Sequence, residues 1–423
     1  MLSVLDLAFL AIVGAIFVAL YLWDQARLQA RAKGTATYSN EKKHFSSTFF
    51  PSPTPLLTVT PEALSGYRGN RDHIYVNKVL RHPYYQTMAH QPMQPDDWIE
   101  LDGDYKSDLA RKAELIRIQG KVVLDVIQDE VVELGCQELM LHICDWITVR
   151  YPNLFQWQGK DRSKILNILT DNLISLHQDG EKECFKSGRE ALYVVSLLVQ
   201  DDFLIASPLA DSHWLCAGGL VCFPGFYLLS EKINTTLFQT HAPVPQFNEK
   251  LLSSVEKTLT RLESSKPIER TSWEIIDSEK DQFWVPMAGP LPTESGAKPM
   301  EPHHFTGRRE DACKTEDASQ LLLRLDHQTF VKMPKSGIVF FGVHPFRRRL
   351  EKLQYSAMLP RLLLDIHQNG PSDLMKYKAA PSYQDSVIPY LEKLDQWQRQ
   401  NGLIRESEKS VDFRMYKDRR RAC

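Results

Sequence analysis

Residues 7–23 form a run of 17 residues without a charged side chain, and Leu2, Val4 and Leu5 extend the apolar character beyond Asp6. A helix over this run would span roughly 25 Å at 1.5 Å per residue, near the lower limit for a bilayer. Tyr21 and Trp23 stand at its end, where an interfacial aromatic belt belongs. A cleaved secretory signal fits less well: no Lys or Arg precedes the run, and no small-x-small site follows before charge resumes. Residues 1–33 are therefore expected to be an N-terminal transmembrane anchor. Arg27, Arg31 and Lys33 follow the span, so the positive-inside rule keeps the rest of the chain in the cytosol. The endoplasmic reticulum is the expected membrane, because thickness sorting favours it for a short span.

The remainder divides by composition. Residues 34–75 are polar and carry Pro51, Pro53, Pro55 and Pro61, which predicts a linker. Residues 76–405 are expected to hold one domain, interrupted by a Pro- and Gly-rich loop over 285–315, and residues 406–423 a basic tail. Lys and Arg number 51 against 53 Asp and Glu, so no basic field invites nucleic acid. A hydrophobic share of 43% excludes a disordered chain. The seven cysteines are widely spaced and none forms C-x-x-C, which predicts reduced thiols rather than a zinc ribbon or redox pair.

Helical periodicity covers residues 109–150, with an interruption expected at Gly135, and returns over 165–176, 248–262, 350–367 and 387–400. Strand-like runs cover 214–223, 237–241, 273–276 and 337–343. Strands and helices cluster separately rather than alternate. That predicts an α+β fold on an antiparallel sheet.

Common nucleotide, zinc-protease, hydrolase and covalent-haem motifs are missing from the sequence. Any electron donor is thus expected on another chain. Asp102-Gly103-Asp104 can be read in two ways. It could hold a divalent metal on a nucleotide sugar, as in an anchored mannosyltransferase-like glycosyltransferase, or it could be a turn. The turn is the preferred reading. Asn234-Thr235-Thr236 is the sole N-glycosylation sequon, and its occupancy reports which side of a membrane the domain faces.

Three blocks stand out together: WLCAGGLVCFPGFYLLSEKINTTLFQTHAPVPQFNEKL from Trp214, PIERTSWEI from Pro267, and LLRLDHQTFVKMPKSGIVFFGVHPFRRRLEKL from Leu322. With the upstream MQPDDWIE from Met93, their order and wording resemble the haem-dependent oxidative N-demethylase alpha-subunit-like family. The resemblance, over roughly residues 82–366, is to a fungal-type, membrane-anchored member. It implies a PAS-like antiparallel sheet surrounded by helices, a non-covalent haem b, and oxygen-dependent removal of a methyl group from an amine. It also implies a separate electron-donor reductase and a small-molecule substrate. Where the family pattern often has arginine, this chain has His327. A non-catalytic PAS-like haem sensor is the alternative within the same fold.

Haem iron needs an axial ligand. His241 precedes Ala242-Pro243-Val244-Pro245, and two prolines stiffen the backbone that carries it. With the resemblance, His241 is the expected iron ligand, with His213 and His327 as alternatives. Arg324, Asp326, His327 and Gln328 form the densest polar cluster in a strand-like setting. At period two Arg324, Asp326 and Gln328 share one face and His327 takes the other. Arg324 could hold a haem propionate or belong to a buried ion pair, and Arg270 is a second propionate candidate. Asp326, His327 and Gln328 are the catalytic candidates, to order water or substrate and supply a proton.

Overall fold

The computed structural model describes residues 50–159, 161–179, 184–225, 227–277, 313 and 315–422, the last six by backbone alone. The expected anchor, and all of the 285–315 loop except residues 313 and 315, lie outside the described residues. Among the described residues no helix is long and apolar enough to cross a membrane.

Among the described residues ten strands are formed: β1 (Gln91–Pro92), β2 (Leu124–Val126), β3 (Phe155–Gln158), β4 (Lys164–Asn167), β5 (Asn172–Ser175), β6 (Asp202–Pro208), β7 (Trp214–Leu220), β8 (Ile268–Ile276), β9 (Leu322–Lys332) and β10 (Val339–Arg349). Seven of them make one antiparallel sheet in the order β1-β8-β9-β10-β6-β7-β2, and β3-β4-β5 make a small second sheet. With its surrounding helices this is the expected α+β class. The edges of the large sheet are β1 and β2, of two and three residues, too short to template pairing with another chain.

The β9–β10 hairpin pairs Leu322 with Arg349 at one end and Lys332 with Val339 at the other. Its turn closes with Met333 N–H donating to the Ile338 carbonyl at 2.7 Å, and Gly337 supplies the positive φ of +72°. Behind the sheet, Trp273, Leu323 and Leu325 pack against the helices Leu359–Asn369 and Gln384–Gln400 in the larger core cluster. On the front, Trp214, Phe330 and Val339 pack with Phe247, Val255 and Leu259.

Three local expectations change. Residues 109–150 form two helices, Tyr105–Gln119 and Glu130–Arg150, separated by β2. The break falls after Gln119, not at Gly135, which lies inside the second helix where an added Cβ would stand 2.9 Å from the Ile338 side chain. Residues 165–176 form a hairpin instead of a helix. Ile165 and Ile174 pair across it and turn inward, Leu173 is 55% exposed, and Asp171 takes a φ of +53° in the turn. Residues 237–240 form a helical turn rather than a strand.

The folded body also reaches further than residues 76–405. Val59, Leu64 and Ile74 are buried on the N-terminal side, as are Phe413 and Tyr416 on the C-terminal side. The six described cysteines are free thiols.

Candidate functional site

The helical turn Leu237–Thr240 explains the state of His241. Thr236 and Gln239 form a reciprocal capping box at its start. One turn later the Leu237 carbonyl lies 3.0 Å from His241 Nδ1. A carbonyl only accepts, so Nδ1 carries the proton and Nε2 keeps its lone pair. The Phe247 ring stacks on the imidazole at 4.0 Å and 11°, fixing its plane. Burial lowers the His241 pKa to about 4, so the ring is neutral at pH 7. A neutral, oriented imidazole whose other nitrogen is hydrogen-bonded to a carbonyl is what a metal ligand requires.

His241 lines a cavity of about 270 Å³ open to the centre of a water molecule. The sheet face from β6 to β10 forms one wall, and the segment from Leu237 to Leu259 the other. Apolar side chains dominate it: Trp214, Phe247, Phe330, Phe341, Val339 and Leu251. The polar groups come mainly from two paired strands. On β8 these are Arg270, Ser272 and Glu274; opposite them on β9 are Gln328, Asp326 and Arg324. The period-two expectation for β9 is thus met, with His327 on the reverse face.

The two arginines differ. Arg324 donates from Nε to Asp326 Oδ1 at 2.7 Å, and its Nη atoms donate to the Phe223 and Pro224 carbonyls at 2.7 and 3.3 Å. It is 1% exposed, and this ion pair fixes the turn after β7. Arg270 has no such partner among the described residues. Its Nε is buried without a hydrogen bond, and Nη1 reaches only the Met88 sulfur at 3.9 Å. Burial lowers its pKa, with Tyr84, Tyr377 and Asp326 opposing. A desolvated guanidinium without a carboxylate in contact is costly unless an anion completes it. Asp326 Oδ2 accepts from Ser272 Oγ at 3.2 Å, and Gln328 Nε2 donates to the same hydroxyl at 3.3 Å.

The other candidates are placed elsewhere. His213 is on the surface, 2.8 Å from Glu256, and does not line the cavity. His327 is 1% exposed behind the sheet, with Nε2 2.9 Å from Glu269 and Nδ1 3.6 Å from Glu100. Asp102 accepts from Gln200 at 2.7 Å and from the Asp104 backbone N–H at 2.9 Å, and Asp104 accepts from Arg347 at 2.8 Å. Asp102-Gly103-Asp104 is therefore the turn that opens the helix Tyr105–Gln119. Lys232, Tyr84 and Lys378 also line the cavity and were missed from sequence. Only Lys232 had a usable signal there, standing in the Ser230-Glu231-Lys232 stretch of the first family-like block.

The sheet thus carries on one face a pocket lined by an imidazole and by a buried guanidinium without a carboxylate in contact among the described residues, groups that can receive a metal centre and an anionic edge. The chain belongs to the family described as haem-dependent oxidative N-demethylase, alpha subunit-like, whose sequence model matches residues 89–388. That span contains every cavity-lining residue except Val79, Tyr84, Gln86 and Met88. The family description is that of an oxidoreductase that depends on haem.

Proposed function

We propose that the chain is a haem-binding oxidoreductase that removes a methyl group from a small amine, with oxygen as oxidant and a separate reductase as electron source. One observation carries this reading: a single cavity is lined both by His241, whose Nδ1 lies against the Leu237 carbonyl and leaves Nε2 as the ligand atom, and by Arg270, whose Nε has no hydrogen-bond partner among the described residues. These are the two groups that a porphyrin with an iron centre and propionate edge would satisfy. Haem b would supply the redox chemistry. The chain's own residues do the rest. His241 offers a preoriented neutral ligand, and its proline-flanked segment limits its swing. Arg270 offsets a carboxylate. The aromatic and aliphatic walls exclude water. Asp326 and Gln328 face the same space, where a carboxylate can hold an ammonium and an amide can order it.

The sheet-and-helix arrangement supports a PAS-like reading. The apolar run over 7–23 supports attachment to the endoplasmic reticulum membrane with the domain in the cytosol. In that topology Asn234, exposed in the structure, stays unglycosylated.

The test is reconstitution of the purified full-length chain with haemin. A Soret band is expected, shifted or lost in His241→Ala, and a suitable reductase with a methylated amine should release formaldehyde. A folded protein that takes up no haemin would refute the reading.

A further inference from the structure

Behind the sheet, on the face away from His241, a second group of buried side chains has the geometry of a metal centre. Glu100 Oε1 lies 2.8 Å from His73 Nε2 and 3.6 Å from His327 Nδ1, and the three ligand atoms fall within 4.8 Å of one another. Bonds of about 2.1 Å to one ion would place such atoms roughly 3.0–3.5 Å apart. His73, Glu100 and His327 are 2%, 0% and 1% exposed.

Two further observations point to a cation. His327 Nε2 lies 2.9 Å from Glu269 Oε2 and 3.2 Å from Arg71 Nη2; the tautomer that donates to Glu269 leaves the Nδ1 lone pair 3.6 Å from Glu100 Oε1. Nδ1 has no hydrogen-bond partner among the described residues, so in that tautomer two electron-rich atoms lie 3.6 Å apart. A histidine whose remote N–H is held by a carboxylate is the usual support for a metal ligand. The charges also fail to balance: Asp97, Glu100 and Glu269 contribute three negative charges and Arg71 one positive, leaving −2 with neutral imidazoles. The adjoining cleft of about 560 Å³ is lined by His73 together with Arg68, Arg71, Arg347, Arg348 and Lys352, basic side chains that favour an anion at the ion's open positions.

We propose that His73, Glu100 and His327 bind one divalent transition-metal ion, such as zinc or ferrous iron, at a site separate from the His241 cavity. Two imidazoles and one carboxylate leave coordination positions open toward the cleft, so the ion can also take water or a small anion. Glu269 is a positioning residue that orients His327.

The test is titration of EDTA-treated full-length protein with Co²⁺ alone, followed by its visible ligand-field bands and by calorimetry. One Co²⁺ per chain is expected, displaced by Zn²⁺. Glu100→Gln should weaken binding by at least about tenfold, and Glu269→Gln by about 10–100-fold. Haemin uptake should be unchanged in both variants, because His241 and Arg270 lie on the opposite face. A folded wild-type protein that shows no cobalt bands would overturn the site. Binding unchanged in Glu100→Gln would overturn it equally. The wild-type titration decides the matter even if a variant fails to fold. Haemin uptake reports on the His241 cavity independently.

Discussion

At the residue scale, burial and partners decide what each titratable group does. His344 is fully buried 3.2 Å from Asp201 and 3.7 Å from Asp102. Burial alone would lower its pKa, but Asp201 and Asp102 outweigh it and raise the value to about 10. Asp102 shows the converse: burial would raise it, and His344 and Gln200 hold it down at about 2. The raised histidine stabilises the fold fully below its ordinary value of 6.5, and that contribution fades as pH rises toward 10. The lowered aspartate stabilises it above 3.8, and its contribution fades as pH falls toward 2. Together they contribute most between about pH 4 and 6.5. Thermal melts across pH should show a decline from pH 6.5 to 10 that is flatter in His344→Gln; an equally steep decline in the variant would refute the assignment. Arg270 gives a second prediction. Because no carboxylate among the described residues pairs with it, Arg270→Ala should leave the melting temperature of the haem-free protein unchanged or slightly raised. Haemin affinity should fall about tenfold, the equivalent of 1.4 kcal/mol. A large loss of stability without haem would instead make Arg270 a structural group.

At the element scale, the hydrophobic period misled wherever local capping and turn chemistry outweighed it. Ile165, Ile168, Leu169 and Leu176 fall at helical spacing, yet Thr170-Asp171-Asn172 breaks the run into a hairpin. The 237–241 segment reads as strand by its Leu and Phe, but Thr236-x-x-Gln239 is a capping box and was legible as one. The misreading mattered, since only a helical turn brings the Leu237 carbonyl within reach of His241 Nδ1. Gly135 was legible as unusual but for the wrong reason. It lets the helix Glu130–Arg150 approach the β9–β10 turn, where Glu138 accepts from the Lys335 and Ser336 backbone N–H groups at 2.9 Å each. Gly135→Ala is expected to destabilise the protein by about 1–3 kcal/mol through the clash with Ile338, measured by urea unfolding. A neutral result would show that the turn can yield.

At the scale of the whole molecule, segments remote in sequence close the fold. Phe413 stacks on Tyr75 at 5.1 Å and 21°, so the stretch that composition marks as a basic tail is partly core. Phe413→Ala is expected to cost about 3–5 kcal/mol in the same unfolding measurement; a loss below about 1 kcal/mol would mean that the C-terminal segment is only laid on the surface. The sequence alone carried the α+β class, the family-like blocks and the alternation that separates Arg324, Asp326 and Gln328 from His327, because each depends on local period or word order. It could not show that Arg324 spends its guanidinium on the Phe223 and Pro224 carbonyls while Arg270 keeps its own uncompensated, nor that His73, Glu100 and His327 meet behind the sheet. Those are facts of tertiary structure, because pairing and desolvation depend on which distant segments the sheet brings within a few ångströms, and no spacing along the chain encodes that distance.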